Sequence, residues 1–326
     1  MVTMKSRLLK LFAAALFLAA GPALPQAYPA KPVRVLVTFA AGGAVDVLGR
    51  IMAQQLTSAL GQAFVVENRP GAGGLLALEL AAKSAPDGYT LVVGSGGPLT
   101  ISPSLFKDRG FDPLKQLDSI IFFSNTKIVM VARADLDAKT PADVVALAKA
   151  SPGKLTMASA GTGSILHLVG EYFQDNTGSK LSHIPYKGSA PAAADLVAKR
   201  VDVMFDALPT VLPFIKSGQI RFLAATTKTR SLQLPDGPTF EELGFPGYSD
   251  IGSWSSLMAP KGTPQEVISR LNLELNKALR NPEVLARLAS MGADPEGGEP
   301  ERVTQHVAAE LARWSRIIDK AGVKPE

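Results

Sequence analysis

The sequence predicts an α/β protein whose strands pair mostly in parallel. Three observations lead there. Short apolar strand, glycine-bearing loop and helix follow one another three times between residues 33 and 125, and the same order starts again at Leu155. Parallel strands need such crossovers. The chain from Pro264 onward is helical by pattern, with apolar residues three and four apart that suit packing on a sheet.

Taken in order, residues 1–27 read as a signal peptide. Lys5, Arg7 and Lys10 form its basic start, Leu11 to Ala20 its apolar centre, and Gly21-Pro22-Ala23 or Gln26-Ala27 a small-residue cleavage zone. The apolar run is short for a membrane span and does not recur downstream, so the mature chain is expected to be exported and soluble. Val33 to Phe39 is a strand, Ala40 to Gly43 a tight loop, and Leu48, Ile51, Met52 and Leu56 mark a helix. A second strand covers Ala63 to Asn68 before the Gly71-Ala72-Gly73-Gly74 cluster and a helix from Leu75 to Lys83. The third runs from Tyr89 to Gly94.

A strand at Ile128 to Arg133 precedes Thr140-Pro141-Ala142-Asp143, an N-cap with proline at the first helical position. Strands then fall at Leu155 to Ser159, His183 to Tyr186, Val201 to Phe205 and Arg221 to Thr226. Helices alternate with them at Ile165 to Phe173, Ser189 to Ala198 and Val211 to Ser217. Leu234 to Gly252 reads as loops around one short helix, and Ser253 to Met258 as a strand. Helices follow at Pro264 to Leu279, Pro282 to Met291 behind an Asn281 cap, and Glu301 to Ala321.

Composition narrows the chemistry. Taking the signal peptide's three basic residues from the chain's 34 Lys and Arg leaves 31 against 29 acidic residues, a charge near +2 with no basic stripe, so no nucleic-acid partner is expected. With zero cysteines the chain has no disulfide, thiol nucleophile or thiolate metal ligand. The three histidines, at 167, 183 and 306, fall on separate elements. No catalytic residue, metal site or cofactor is expected. G-x-S-x-G, Walker and H-E-x-x-H motifs are absent, and the glycine clusters miss G-x-G-x-x-G because Leu76 and Leu166 stand at its last position.

What remains is a set of strand-end loops dense in small donors. These are Ala40 to Val45, Gly94 to Thr100, Ser159 to Ser164, Tyr186 to Ala190, and Asp206 with Ala207. Backbone amides and the hydroxyls of Ser95, Ser159, Thr162 and Ser164 can hold a carboxylate without a lysine or arginine. The expected ligand-binding residues are Phe39, Ala41, Gly42, Gly43, Val45, Ser95, Gly96, Ser159, Gly161, Thr162, Gly163, Ser164, Tyr186 and Asp206. Asp46 and Arg50 are read as mainly structural, the acid capping its own helix.

The motifs together resemble the Bug family, the periplasmic solute receptors of tripartite tricarboxylate transporters. They are Phe39-Ala-Ala-Gly-Gly-Ala-Val-Asp46 with Arg50, Val66-Glu-Asn-Arg-Pro-Gly-Ala-Gly-Gly74, Ala85-Pro-Asp-Gly-Tyr89, Ala158-Ser-Ala-Gly-Thr-Gly-Ser164 with His167, Pro185-Tyr-Lys-Gly188, Met204-Phe-Asp206 and Ala259-Pro-Lys-Gly-Thr-Pro264. The resemblance implies a type II periplasmic-binding-protein fold: two α/β lobes joined by two crossover strands, closing on a carboxylate held by loop amides and hydroxyls. Lobe one is expected at 28–127 and 254–326, lobe two at 128–253. It also implies membrane components of a tripartite tricarboxylate-type transporter as partner; a monomer is expected. Ala41, Val45 and Leu75 stand where such receptors usually carry Pro, Thr or Ser, and Asn, while Ile165 and Leu166 replace residues that are often small or hydroxyl-bearing. These changes suggest a drier site, suited to a carboxylate with an apolar or aromatic body. The alternatives are a hydrolase or lyase using Ser164, His167 and Asp206, and a sensory binding module feeding a receptor kinase.

Overall fold

The computed structural model describes residues 28–249 and 251–321. The expected signal peptide lies outside them. The chain opens with β1 (Val33–Val37), α1 (Ala44–Leu60), β2 (Phe64–Asn68), α2 (Leu75–Ala82) and β3 (Thr90–Ser95). A π-helical turn over Gly97–Ile101 then runs into α3 (Ser102–Leu105), followed by α4 (Pro113–Gln116) and the 17-residue β4 (Leu117–Arg133). Next come α5 (Pro141–Ala150), β5 (Thr156–Ser159), α6 (Ile165–Thr177), β6 (Ser182–Pro185), α7 (Ser189–Val197), β7 (Val203–Ala207), α8 (Leu208–Lys216) and β8 (Ile220–Ala225). The chain ends with β9 (Gly252–Pro260), α9 (Gln265–Ala278), α10 (Pro282–Met291), β10 (Ala293–Pro295) and α11 (Pro300–Ala321).

Local chemistry sets several boundaries. Thr140 and Asp143 form a reciprocal capping box at the start of α5, and the Asn281 side chain accepts the Glu283 amide at the start of α10. Helix α1 buries Leu48, Ile51, Met52 and Leu56 against the sheet. It lies so close that a Cβ on Gly49 would stand 3.1 Å from Val93 and 3.2 Å from Val37. The short helix expected between Leu234 and Gly252 is instead a turn. Thr239 and Glu242 do exchange capping hydrogen bonds, but Gly244, at φ +82°, stops the chain after one turn.

The strands form one continuous sheet in the order β2-β1-β3-β9-β4-β7-β5-β6, with β8 and β10 also paired to β4. It is mixed rather than mostly parallel. β1 pairs in parallel with β2 and β3, as β5 does with β6 and β7, but β9 is antiparallel to β3 and β4, and β4 is antiparallel to β7 and β8. Two parallel patches therefore flank an antiparallel seam.

Strand β4 belongs to both patches. Residues 117–127 pair with β9, whereas Ile128 onward pairs with β7 and β8. Its first part escapes the sequence reading because Ser119, Ser124, Asn125, Thr126 and Lys127 interrupt the apolar run. At the change of partner Thr226 Oγ1 donates to the carbonyls of Ile128 (3.0 Å) and Ile251 (2.8 Å), and Thr126 Oγ1 donates to that of Ser253 (2.6 Å).

Candidate functional site

The carboxyl ends of the parallel strands in both patches face one another, and helix N-termini converge between them. Gly43, Ala44 and Val45 at the start of α1, Ser164, Ile165 and Leu166 at the start of α6, Ser189 at the start of α7 and Ala207 before α8 border one cavity. Phe39, Ser95, Gly97, Pro98, Ala160 and Ser253 complete it. No lining residue carries a formal charge. Four helix N-termini nevertheless aim partial positive charge inward, a field that favours an anion.

The space is narrow. It amounts to about 20 Å³, room for roughly one water and far below the roughly 300 Å³ of ordinary ligand pockets. A neighbouring cleft of about 420 Å³ is bordered by Gly71 to Gly74, Phe106, Gly161, Thr162 and Pro185 to Lys187, and it shares Phe39 and Ala160 with the first. The facing loops already touch. Ala40 N–H donates to the Lys187 carbonyl at 3.0 Å, and Ser102 Oγ is 3.2 Å from the carbonyls of both Gly73 and Gly163. Helix α1 has no cap from its own side chains; the Ala44 amide instead finds Thr210 Oγ1, on α8, at 3.0 Å.

The expected residues divide by position. Phe39, Gly43, Val45, Ser95 and Ser164 line the cavity; Gly161, Thr162 and Tyr186 line the neighbouring cleft. Ala41 and Gly42 are exposed at the edge. The Gly42 amide is turned to the Asp46 carboxylate at 2.9 Å. Gly96 packs behind the cavity, where a Cβ would lie 3.0 Å from Trp254 Nε1. Ser159 stays away from the cavity: its Oγ is 2.7 Å from His183 Nε2 and accepts the Gly161 amide at 3.1 Å. The Gly163 amide donates to His167 Nδ1 at 3.4 Å.

Asp206 stands one layer behind the wall. It is 0 % exposed; its Oδ1 accepts the Ser189 hydroxyl at 2.6 Å and the Ala207 amide at 2.7 Å, while Oδ2 has no hydrogen-bond partner among the described residues. Burial pushes its carboxyl up to about 7, against the lowering effect of those two hydrogen bonds. The Tyr186 phenol is pushed up to about 12 by burial and by the Asp195 carboxylate that its hydroxyl meets at 2.7 Å.

Asp46 behaves differently. Burial would raise its carboxyl, but hydrogen bonds from Arg50, Gly42 and Asn68 hold it below the ordinary carboxylate range. Ala44, Gly97, Pro98, Ala160, Ser189 and Ala207 belong to the strand-end loops read from the sequence but are not among its expected ligand-binding residues, and Ser253 belongs to neither set. Ser253 gave no signal, because β9 reaches the cavity only through the returning chain.

Residues 48–323 match the family model described as the tripartite tricarboxylate transporter family receptor. The protein BugT of Bordetella pertussis is 37% identical over 306 residues, covering 94% of each chain. A Rhodopseudomonas palustris protein solved with adipate superposes with a TM-score of 0.88 at 35% identity, covering 92% of this chain and 100% of that one. MatC of the same organism, solved with bound malate, gives 0.85 at 30% identity, covering 89% of this chain and 100% of its own.

Proposed function

The chain belongs to the tripartite tricarboxylate transporter receptor family, the Bug receptors, and from that premise we propose that it captures a small carboxylate between its lobes and presents the closed form to such a transporter's membrane components. The observation that carries the reading is the convergence of four helix N-termini on one cavity without a charged wall. The ligand carboxylate lies against the amides of Gly43 and Val45, those of Ile165 and Leu166, and the hydroxyls of Ser95 and Ser164, the Ala44 and Ser164 amides being taken by Thr210 Oγ1 and the Gly161 carbonyl. Phe39, Val45, Pro98, Ile165 and Leu166 give its body an apolar bed. An aliphatic or aromatic acid fits that bed better than a citrate-like polyacid. Relatives have been solved with adipate and malate, which supports acids of this size.

Lobe one comprises 28–127 and 254–326, lobe two 128–253. The change of partner along β4 and the Thr226 crossover bonds form the hinge. The protein works as an exported monomer whose signal peptide is removed, and it performs no chemistry. Ser164 supports this last point. Its Oγ accepts the His167 amide at 3.1 Å, while His167 faces the Gly163 amide with Nδ1 and Glu171, at 3.6 Å, with Nε2. A serine nucleophile needs a base on its own proton.

Thermal unfolding of residues 28–326 against polyacids, amino acids, aliphatic monoacids and aromatic acids tests the reading. At a hundredfold excess over Kd a true ligand adds roughly 2.7 kcal/mol. The expected result is a shift confined to acids with an apolar body. A shift with citrate alone overturns the apolar-bed assignment, and no shift after refolding from denaturant overturns the carboxylate.

A further inference from the structure

Ser189 borders the cavity with a hydroxyl whose proton is already committed. The direction of its 2.6 Å contact with Asp206 Oδ1 is fixed by a third group. The Ala207 backbone N–H also meets Oδ1, at 2.7 Å, and an amide N–H only donates. Oδ1 is therefore the accepting oxygen, and any proton on the carboxyl sits on the unpartnered Oδ2. Charged or neutral, Asp206 takes the Ser189 proton. A hydroxyl has only one proton, so Ser189 offers a ligand nothing but lone pairs. Ser164 is the opposite case: its Oγ accepts the His167 amide, which leaves its proton available to a carboxylate.

We infer that Ser189, held by Asp206, is an acceptor-only subsite that selects, among the small carboxylates of the reading on which this rests, those carrying a hydroxyl or ammonium donor. The bond inventory sets the discrimination. A ligand hydroxyl placed at Ser189 satisfies both partners. An ether oxygen there sets lone pair against lone pair in a water-poor space, and a bare methylene leaves the serine oxygen unmatched.

The test uses residues 28–326 and calorimetric Kd values for matched acids of four to six carbons. These are the bare acids, their 2-hydroxy and terminal hydroxy forms, and the methyl ethers of both. At one position the hydroxy acid is expected to bind at least about tenfold more tightly than its ether. Ser189→Ala is expected to shrink that ratio to within about threefold, with a cooperative unfolding transition confirming the fold. Asp206→Leu frees the Ser189 proton and is expected to bring the ether towards parity. Equal binding of ether and hydroxy acid at both positions, or a ratio that survives Ser189→Ala, overturns the subsite and leaves the carboxylate reading standing. Failure of every acid to bind overturns the carboxylate reading, and the subsite with it.

Discussion

Asp46 and Asp206 show how environment separates two residues of one type. Both are almost fully buried, at 2 % and 0 % exposure. Asp46 receives Arg50, Gly42 and Asn68 and stays ionised, holding the α1 entry loop to β2. Asp206 receives one hydroxyl and one amide and has no cation, so its proton is held up to about 7. Between the ordinary carboxylate range and that value the folded chain keeps a proton that the unfolded chain releases. Stability contributed by this group therefore falls as pH rises from about 4 to about 7. Asp206→Asn removes the dependence while keeping an accepting oxygen. Urea unfolding of both proteins from pH 4 to 8 should show the variant gaining on the wild type as pH rises, by on the order of a few kcal/mol; parallel profiles would disprove the assignment.

At the scale of elements, closure depends on backbone passing close to backbone. The π-helical turn after β3 puts Gly97 against the entry to α6, where a Cβ would meet Ile165 N at 2.7 Å, Ser164 Cα at 2.8 Å and the Gly163 carbonyl at 3.0 Å. None of these is the tip of a flexible side chain. Gly97→Ala should consequently hold the two patches apart. Acid affinity is expected to drop at least about tenfold while the ligand-free unfolding free energy changes by no more than about 1 kcal/mol. Unaltered affinity in a titration would remove Gly97 from the closing surface. The Thr210 hydroxyl on the Ala44 amide makes a related point: α1 receives its cap only when α8 arrives from the opposite side.

For the molecule as a whole, a cavity of about 20 Å³ means that an acid of several carbons enters only when the lobes part. Hydrogen bonds that join them among the described residues include Ala40 to Lys187, Ala44 to Thr210, Ser102 to Gly163 and Gln233 to Ala289, beside the apolar contacts of Phe39 and Val45 with Ile165 and Leu166 around the cavity. Each such bond is worth about 1 kcal/mol net, so the polar part of opening costs only a few kcal/mol. Solution X-ray scattering should give a larger radius of gyration without ligand than with a saturating acid from the thermal panel. An unchanged radius would argue against hinge closure as the capture step.

Much of the fold was legible in the sequence because local rules decide it. The 33–37 strand, its loop and the helix after it follow from periodicity and glycine, and Thr140-Pro141 and Asn281-Pro282 announce their helices by capping chemistry. Family motifs lie along the same loops, which is why Phe39, Gly43, Val45, Ser95 and Ser164 could be singled out in advance. Pairing is another matter. That β9 runs antiparallel between β3 and β4, and that β4 carries Ser119, Ser124 and Thr126 into a buried seam, depends on partners more than a hundred residues away. The same distance explains Ser253 in the cavity wall and Thr210 as the cap of α1, whereas the direction of the Ser189 proton is set across the α7–β7 crossover by Asp206, 17 residues on. Local pattern determined the α/β class and the chemistry of the loops, and the family motifs the kind of protein. Only the tertiary structure decided which donors and acceptors remain unspent around the cavity, because a group's free valence is whatever its neighbours in space leave over.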